Sequence, residues 1–419
     1  MRVAVVGGGI SGIVAAHVLS RVHDVVLFER NNYVGGHTNT RTVIDPENES
    51  LQVDTGFIVC NARNYPNFYR FLDQLDIKRQ NSDMSFGFFC EETGMQYLGP
   101  SIIEFLRAPG NLCNSKFCKM LLEQRRFNRR ALQDLQEGRL GEIPLRDYLA
   151  KIGASRFFFD YYLAPLISSI WSAPDSKALE FPVKTFLTFF NNHGMLELSK
   201  RPQWQTVVGG SKRYIEEFLK RFKGEVHCER PIQAIDRQES HVVLRFMDGE
   251  SQCFDKVVIA THADEALELL EDPSQAEQEA LGAWQYSSNK AVLHTDSSVL
   301  GPKRRLWAAW NYRKHVEEDR EKPVAITYYM NKLQRLKAKQ DYFVTLNPRE
   351  QSINPASILY ETTYTHPIYT PASPVSQSAL RELGGQNNTY FCGAYMRYGF
   401  HEDGVQSALA VTKKFGLDL

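Results

Sequence analysis

Residues 2–29 read RVAVVGGGISGIVAAHVLSRVHDVVLFE, and this stretch decides the fold. RVAVV is a continuous apolar run, the pattern of a parallel strand buried on both faces. It breaks into Gly7-Gly8-Gly9-Ile10-Ser11-Gly12, and small and apolar residues then recur at helical spacing through SGIVAAHVLSR. DVVLFE is a second buried strand, so the stretch predicts a βαβ unit. Gly7, Gly9 and Gly12 let a turn tighten and let backbone N–H groups, those of Ile10 and Ser11 among them, approach a pyrophosphate at a helix N-terminus. Glu29 ends the second strand, where a carboxylate reaches ribose hydroxyls. A glycine turn used for packing alone is the bland alternative, but it does not account for strand, helix, second strand and acidic residue occurring together.

The chain has 419 residues, enough for two domains or one large composite body. Its 49 basic and 49 acidic residues cancel, so nothing points to nucleic acid as a partner. The seven cysteines are scattered without a metal-ligand pattern, which predicts reduced thiols, no metal and a cytoplasmic protein. The apolar start runs into glycines rather than a cleavage site, and no run reaches the ~18–20 apolar residues of a membrane span. Asn48-Glu-Ser50 and Asn387-Asn-Thr389 read as chance glycosylation matches.

Along the chain the character alternates. Residues 1–85, 201–284 and 386–419 carry the nucleotide-binding patterns. Residues 86–200 are rich in long side chains and aromatics, and 285–385 mix strands with Pro-marked loops. The expected fold is therefore α/β, a Rossmann-like parallel-sheet domain beside a discontinuous α+β substrate domain.

The loop after Glu29-Arg30, ERNNYVGGHTNT, places Gly35-Gly36 ahead of His37 and Thr38. This combination resembles the flavin-containing amine oxidase superfamily, whose second glycine pair lies along the FAD pyrophosphate. The resemblance implies an amine-oxidase-like fold with FAD held by Glu29, Arg30 and Gly35 to Thr38. Family members usually have Arg where this chain has His37, which exchanges a permanent charge for one that titrates. VDTGFIV, with Gly56, Phe57 and Ile58, resembles the turn that reaches the flavin. EVHCERPIQAID resembles the strand whose valine backbone, here Val226, holds the adenine, and Ala260 lies in VVIATHADEAL, which resembles the strand leading back under the cofactor. YFCGAYMRYGFHEDGVQSALA resembles the C-terminal flavin motif. There Gly393 would approach the pyrophosphate, and a helix starting near Asp403-Gly404-Val405 would point its N-terminus at the flavin. The segment preceding THPIY lacks the cysteine of covalently flavinylated relatives, so FAD is expected to bind non-covalently.

Within the superfamily, NKAVLHTDSSVL, WAAWNYR, ITYYMNKLQRL, YFVTLNP and YTHPIY are similar to a bacterial branch of predicted NAD/FAD-binding proteins. That branch resembles the N-terminal flavin domain of plant cyclopropane-fatty-acid synthases. The resemblance implies a flavin oxidoreductase linked to methylated, unsaturated or cyclopropanated acyl chains. Amine-oxidising relatives place a tyrosine in the C-terminal Gly-Tyr step; here it is Gly399-Phe400, with Tyr395 and Tyr398 nearby. Those three aromatics and Trp310 are the expected substrate side, against the alternative that such clusters are core.

His401, His294 and Lys290 are the candidate catalytic residues, Lys290 as the lysine that holds a water on flavin N5 in amine oxidases. His366 is a further candidate for proton handling. Flavin chemistry asks little else of side chains. Arg125, Arg126, Arg129 and Arg130 lie on one helix, and its basic face would meet anionic headgroups or remain a solvated face paired with Glu123 and Asp134. The expected function is hydride transfer from a C–H of an apolar lipid acyl chain to FAD, reoxidised by O₂ or another acceptor. Amine or amino-acid oxidation is the alternative, as is a non-catalytic flavoprotein partnering a lipid methyltransferase. The expected partners are a small-molecule or lipid substrate and a peripheral membrane surface at the inner face.

Overall fold

The structure is a computed structural model that describes residues 1–47, 50–99, 105, 107–141, 143–171, 179–196, 202–315, 324–370 and 372–419. The Asn48 glycosylation match and the expected boundary between residues 200 and 201 fall outside these residues. Strands β1 (Arg2–Val6), β2 (Asp24–Phe28), β3 (Glu225–His227), β4 (Lys256–Ile259) and β5 (Thr389–Phe391) form an all-parallel sheet in the order β3-β2-β1-β4-β5. This is the doubly wound arrangement that leaves a crevice at the carboxyl ends of the strands, where the order reverses beside β1. The apolar run of β1 serves both faces. Val3 and Val5 face a helical layer, whereas Ala4 and Val6 face a layer built on the antiparallel strands Ile232–Arg237, Val242–Phe246 and Ser251–Phe254.

A second sheet of seven strands is assembled from distant segments. Its order is Ile358–Ile368, Gln285–His294, Phe343–Leu346, Ile326–Tyr329, Trp310–Lys314, Phe86–Cys90 and Gln96–Gly99. All its pairings are antiparallel except that of Trp310–Lys314 with Phe86–Cys90. The helices used in the argument are α1 (Ile10–Leu19), α2 (Ser115–Gln136), α3 (Val183–Asn192), α4 (Gln275–Gly282) and α5 (His401–Lys414). α1 and α5 pack directly on each other, and α2 packs on α3.

α4 shows how local sequence fixes an element. Ser274 accepts the Glu277 N–H at 3.3 Å, and the Glu277 carboxylate accepts the Ser274 N–H at 2.9 Å, closing a capping box. Glu277 also binds the fully buried Arg237 of the Ile232–Arg237 strand, at 2.6 Å, and so ties α4 to that strand. Ser274→Ala removes the cap and leaves the ion pair in place. It is expected to cost about 1 kcal/mol of stability, read as a lower chemical-unfolding midpoint at unchanged slope.

Candidate functional site

A cavity of about 1180 Å³ opens at the carboxyl ends of the parallel strands and continues to the seven-stranded sheet. Pockets for drug-sized ligands run to ~1,000 Å³, so this one has room for a dinucleotide and a second molecule. At its near end Gly7 donates to the Phe28 carbonyl at 2.8 Å, which ties the glycine turn to β2. Gly9 is the N-cap of α1 and supplies no side-chain cap. The N–H groups of Ile10, Ser11 and Gly12 therefore have no acceptor within the helix. Gly9, Ile10 and Ser11 line the cavity, and a Cβ on Gly9 would meet nothing within 4 Å. The open helix end is an anion site in waiting.

Glu29 is buried beside this end. Its carboxylate accepts N–H bonds from Gly8 at 2.8 Å and Asn31 at 2.9 Å, which orients it. Arg30 pairs with Glu265 at 2.7 Å, and both line the cavity. Gly36 is left-handed at φ 56° and lies so close to Gly9 that a Cβ would be 3.1 Å from the Gly9 Cα. The chain therefore brings His37 alongside the start of α1.

His37 is surrounded by rings. It stacks on Tyr364 at 5.1 Å and lies 5.2 Å from His366 and 6.3 Å from His262. Its Nε2 donates to the Thr365 carbonyl at 3.1 Å. Burial first, and then the neighbouring imidazoles, hold His37 well below the ordinary histidine range. Burial likewise brings His366 down to about 4.

His401, the first residue of α5, stacks on Phe57 at 3.6 Å. Its Nε2 lies 3.0 Å from the Thr38 hydroxyl and 3.1 Å from the Tyr214 hydroxyl. Burial lowers it to about 3, so at neutral pH it is an uncharged ring fixing three segments of chain. Three more polar groups in the wall have no partner among the described residues: Trp310 Nε1, Tyr369 Oη and Tyr395 Oη. Orphaned donors of this kind are rare unless a bound molecule accepts from them.

A model of the flavin-containing amine oxidoreductase family matches residues 10–413. The chain belongs to this family. It is therefore an FAD-dependent oxidoreductase. The open α1 terminus, the oriented Glu29 and the orphaned donors fit the pyrophosphate, ribose and polar edges of that cofactor. No curated protein matches the sequence. Among solved structures it is similar to a CLA-producing fatty acid isomerase from P. acnes, at 14% identity and a TM-score of 0.70 over 99% of this chain and 98% of that one. It is also similar to a cyclohexylamine oxidase from Brevibacterium oxydans IH-35A, at 15% identity and TM-score 0.70 over 99% of each chain. A putrescine oxidase bound to putrescine follows at 11% and 0.68, again over 99% of each. At such identities the likeness is one of fold.

The family cavity is lined by Gly7, Gly9, Ile10, Ser11, Glu29, Arg30, Gly36, His37, Gly56, Phe57, Ile58, Ala260 and Gly393 from the expected cofactor side. Tyr395, Tyr398, Phe400, Trp310, His366 and His401 also line it. Several expected contacts act instead behind the wall. Gly12 and Gly404 are close-packing glycines, and Gly404 lets α5 touch Ile10 and Ser11. A Cβ on Gly35 would lie 2.6 Å from the Thr38 carbonyl oxygen, so Gly35 shapes the loop. Thr38 holds His401, and Val405 is core. α5 starts at His401, two residues earlier than expected, because the Asp403 carboxylate accepts the Phe400 N–H at 2.9 Å and caps it. Burial raises Asp403 to about 7.

Val226 lies in the edge strand β3 with its side chain partly buried against the core, and Arg230, Pro231 and Ile232 just after it line the cavity. Two expectations, those for Lys290 and His294, are corrected. Lys290 points away from the site. Strand alternation turns Asn289 inward, fully buried, and leaves Lys290 outside, paired with Glu361 at 2.8 Å. His294 is buried in the seven-stranded sheet, its Nε2 2.7 Å from the Thr345 hydroxyl and its Nδ1 accepting the Asp296 N–H. Neither Lys290 nor His294 lines the cavity. Sequence reading did not single out Tyr369, His262 and Phe189, which do line it. The first two lie within the quoted THPIY and VVIATHADEAL segments, whereas Phe189 carried no signal beyond its helix.

Proposed function

We propose that this enzyme takes a hydride from a C–H of a long apolar substrate, a fatty acyl chain of a lipid, with FAD held non-covalently. The observation that carries the reading is the far end of the cavity. Leu166, Ile170, Phe189, Met195, Trp204 and Leu346 wall it, and the carboxylate there among the described lining residues, Asp83, is exposed and accepts its own loop's Ser85 N–H at 2.8 Å. Among the described residues lining that end, an ammonium substrate would find no buried carboxylate.

Phe400, at the step where amine-oxidising relatives carry tyrosine, stacks on Phe189 at 5.0 Å and extends the apolar wall. Bound FAD supplies the two-electron acceptor at its isoalloxazine ring. The chain's part is to align the acyl chain along these aromatics and exclude water, with His401 neutral and the Tyr369 and Trp310 donors offering hydrogen bonds. No cysteine lines the cavity among the described residues, which supports non-covalent binding. The same fold frames a fatty acid isomerase, and the resemblance to the flavin domain of plant cyclopropane-fatty-acid synthases points to the same substrate class.

Anaerobic mixing with a methylated or unsaturated phospholipid is expected to bleach the flavin absorbance, while monoamines and polyamines leave it unchanged. Bleaching by amines alone would reverse the assignment. A flavin that dithionite reduces but neither substrate class does would favour a non-catalytic partner of a lipid methyltransferase.

A further inference from the structure

We propose that the outer face of α2 docks the protein on an anionic lipid bilayer. α2 runs 22 residues, about 33 Å at ~1.5 Å per residue. Phe117, Met120, Gln124, Phe127, Ala131 and Asp134 form its buried stripe against α3 and neighbouring segments. On the opposite side Lys119, Leu122, Arg126, Arg129 and Gln133 recur at intervals of three and four residues, all exposed, with Lys116, Arg125 and Arg130 flanking them.

Arg130 is neutralised by Asp134 at 2.8 Å. Lys116, Lys119, Arg125, Arg126 and Arg129 make no ion pair among the described residues. The nearby acids are engaged elsewhere: Glu123 accepts from Ser155 at 2.6 Å, and Glu137 pairs with Arg139. In a chain whose charges otherwise cancel, five uncompensated cations on one helix face are a local excess.

Charge alone would suit any polyanion. Two leucines select the bilayer. Leu122 is 59% exposed within the cationic stripe, and Leu112 is 41% exposed in the turn Pro109–Cys113 that leads into α2. Apolar side chains set among lysines and arginines enter the headgroup–acyl boundary while the cations meet anionic headgroups. Among the described residues no helix is long and apolar enough to cross a membrane, so this is a surface contact. The helix beneath α2 is α3, whose Phe189 lines the cavity, so the docked face lies one helix layer from the site. The docking surface stands whether or not the acyl-chain reading does.

The test is co-sedimentation of the FAD-loaded protein with phosphatidylcholine vesicles, with and without about 30% phosphatidylglycerol. Partitioning at least tenfold stronger on the anionic vesicles is expected, lost again as salt rises from about 0.05 to about 0.5 M. The triple variant Arg125→Glu, Arg126→Glu, Arg129→Glu is expected to lose that gain while keeping its flavin content and melting temperature. Leu122→Ser is expected to weaken it severalfold with all charges intact. Equal binding to both vesicle types, or full binding by the triple variant, would overturn the proposal. So would a Leu122→Ser variant that binds normally alongside equally tight capture of an oligonucleotide, which would make the face a general polyanion site.

Discussion

Gly12→Val protein is expected to emerge from purification without flavin. Gly12 lies where α1 passes under the glycine turn, and a Cβ there would sit 1.9 Å from the Gly7 carbonyl oxygen and 3.1 Å from its carbon. Both are backbone atoms and cannot swing aside. Gly7 cannot yield either: its φ is 102°, and its own Cβ position is 2.9 Å from the Ala260 oxygen. The only relief is for α1 to back away from β1, which withdraws the Ile10 and Ser11 N–H groups from the pyrophosphate. Overpacking of this kind costs about 1–3 kcal/mol or more. If about 3 kcal/mol falls on binding, FAD affinity drops roughly a hundredfold. The ratio of flavin to protein absorbance after gel filtration, with a parallel thermal melt, measures both parts. Gly110→Val, where a Cβ would meet nothing within 4 Å, is the control and is expected to retain its flavin. A Gly12→Val protein that binds FAD like the parent would remove the glycine turn from the cofactor site.

That site was legible in the sequence wherever backbone geometry dictates residue type. The first βαβ unit, Glu29 and the second glycine pair are local patterns, and each ends at the cavity or just behind its wall. The cavity-lining aromatics Tyr395, Tyr398 and Phe400 were legible because they sit within a few residues of Gly393 in one compact motif. What the sequence withheld depends on orientation. Lys290 and Asn289 are neighbours on one strand, and only the registration of that strand against Ile358–Ile368 decides which faces inward. Asn289 turned in and donates to His366 Nδ1 at 2.9 Å, so the lysine turned out. β3 is the edge strand of the parallel sheet and pairs with β2 on one side only, and the chain that follows it lines the cavity at Arg230–Ile232. The seven-stranded sheet was less legible still, since Trp310–Lys314 pairs with Phe86–Cys90 more than two hundred residues away. Nothing in the periodicity of either strand names the other.

FAD affinity is expected to strengthen as pH falls and weaken as pH rises, through His37. Without cofactor the imidazoles of His37, His262 and His366 are all lowered by burial, so at neutral pH they are uncharged. The groups around them leave that balance intact. Tyr364 and His366 flank His37, while Glu265, Asp264 and Arg30 surround His262 with mixed charge. The cofactor's pyrophosphate changes the field. An anion at the start of α1, beside Gly36 and His37, favours the charged imidazole and raises its pKa. Where the raised pKa reaches the working pH, binding takes up a proton, and by linkage affinity then falls by up to about tenfold per pH unit for each proton taken up.

Fluorescence-quenching titrations of apo-protein with FAD between about pH 6 and about pH 8 measure the slope. Calorimetry in two buffers of different ionisation enthalpy measures the proton uptake directly. His37→Gln is expected to bind FAD more weakly at the acid end and to flatten the slope, because it can donate a hydrogen bond but cannot charge. His37→Arg is expected to flatten it too while binding more tightly at the alkaline end, where the parent imidazole is neutral and guanidinium is not. Those opposite affinities with the same flat slope separate charge from packing. A parent protein whose affinity does not change over this range, with no proton taken up, would leave His37 as a neutral hydrogen-bonding ring and assign the pyrophosphate to the α1 N–H groups alone.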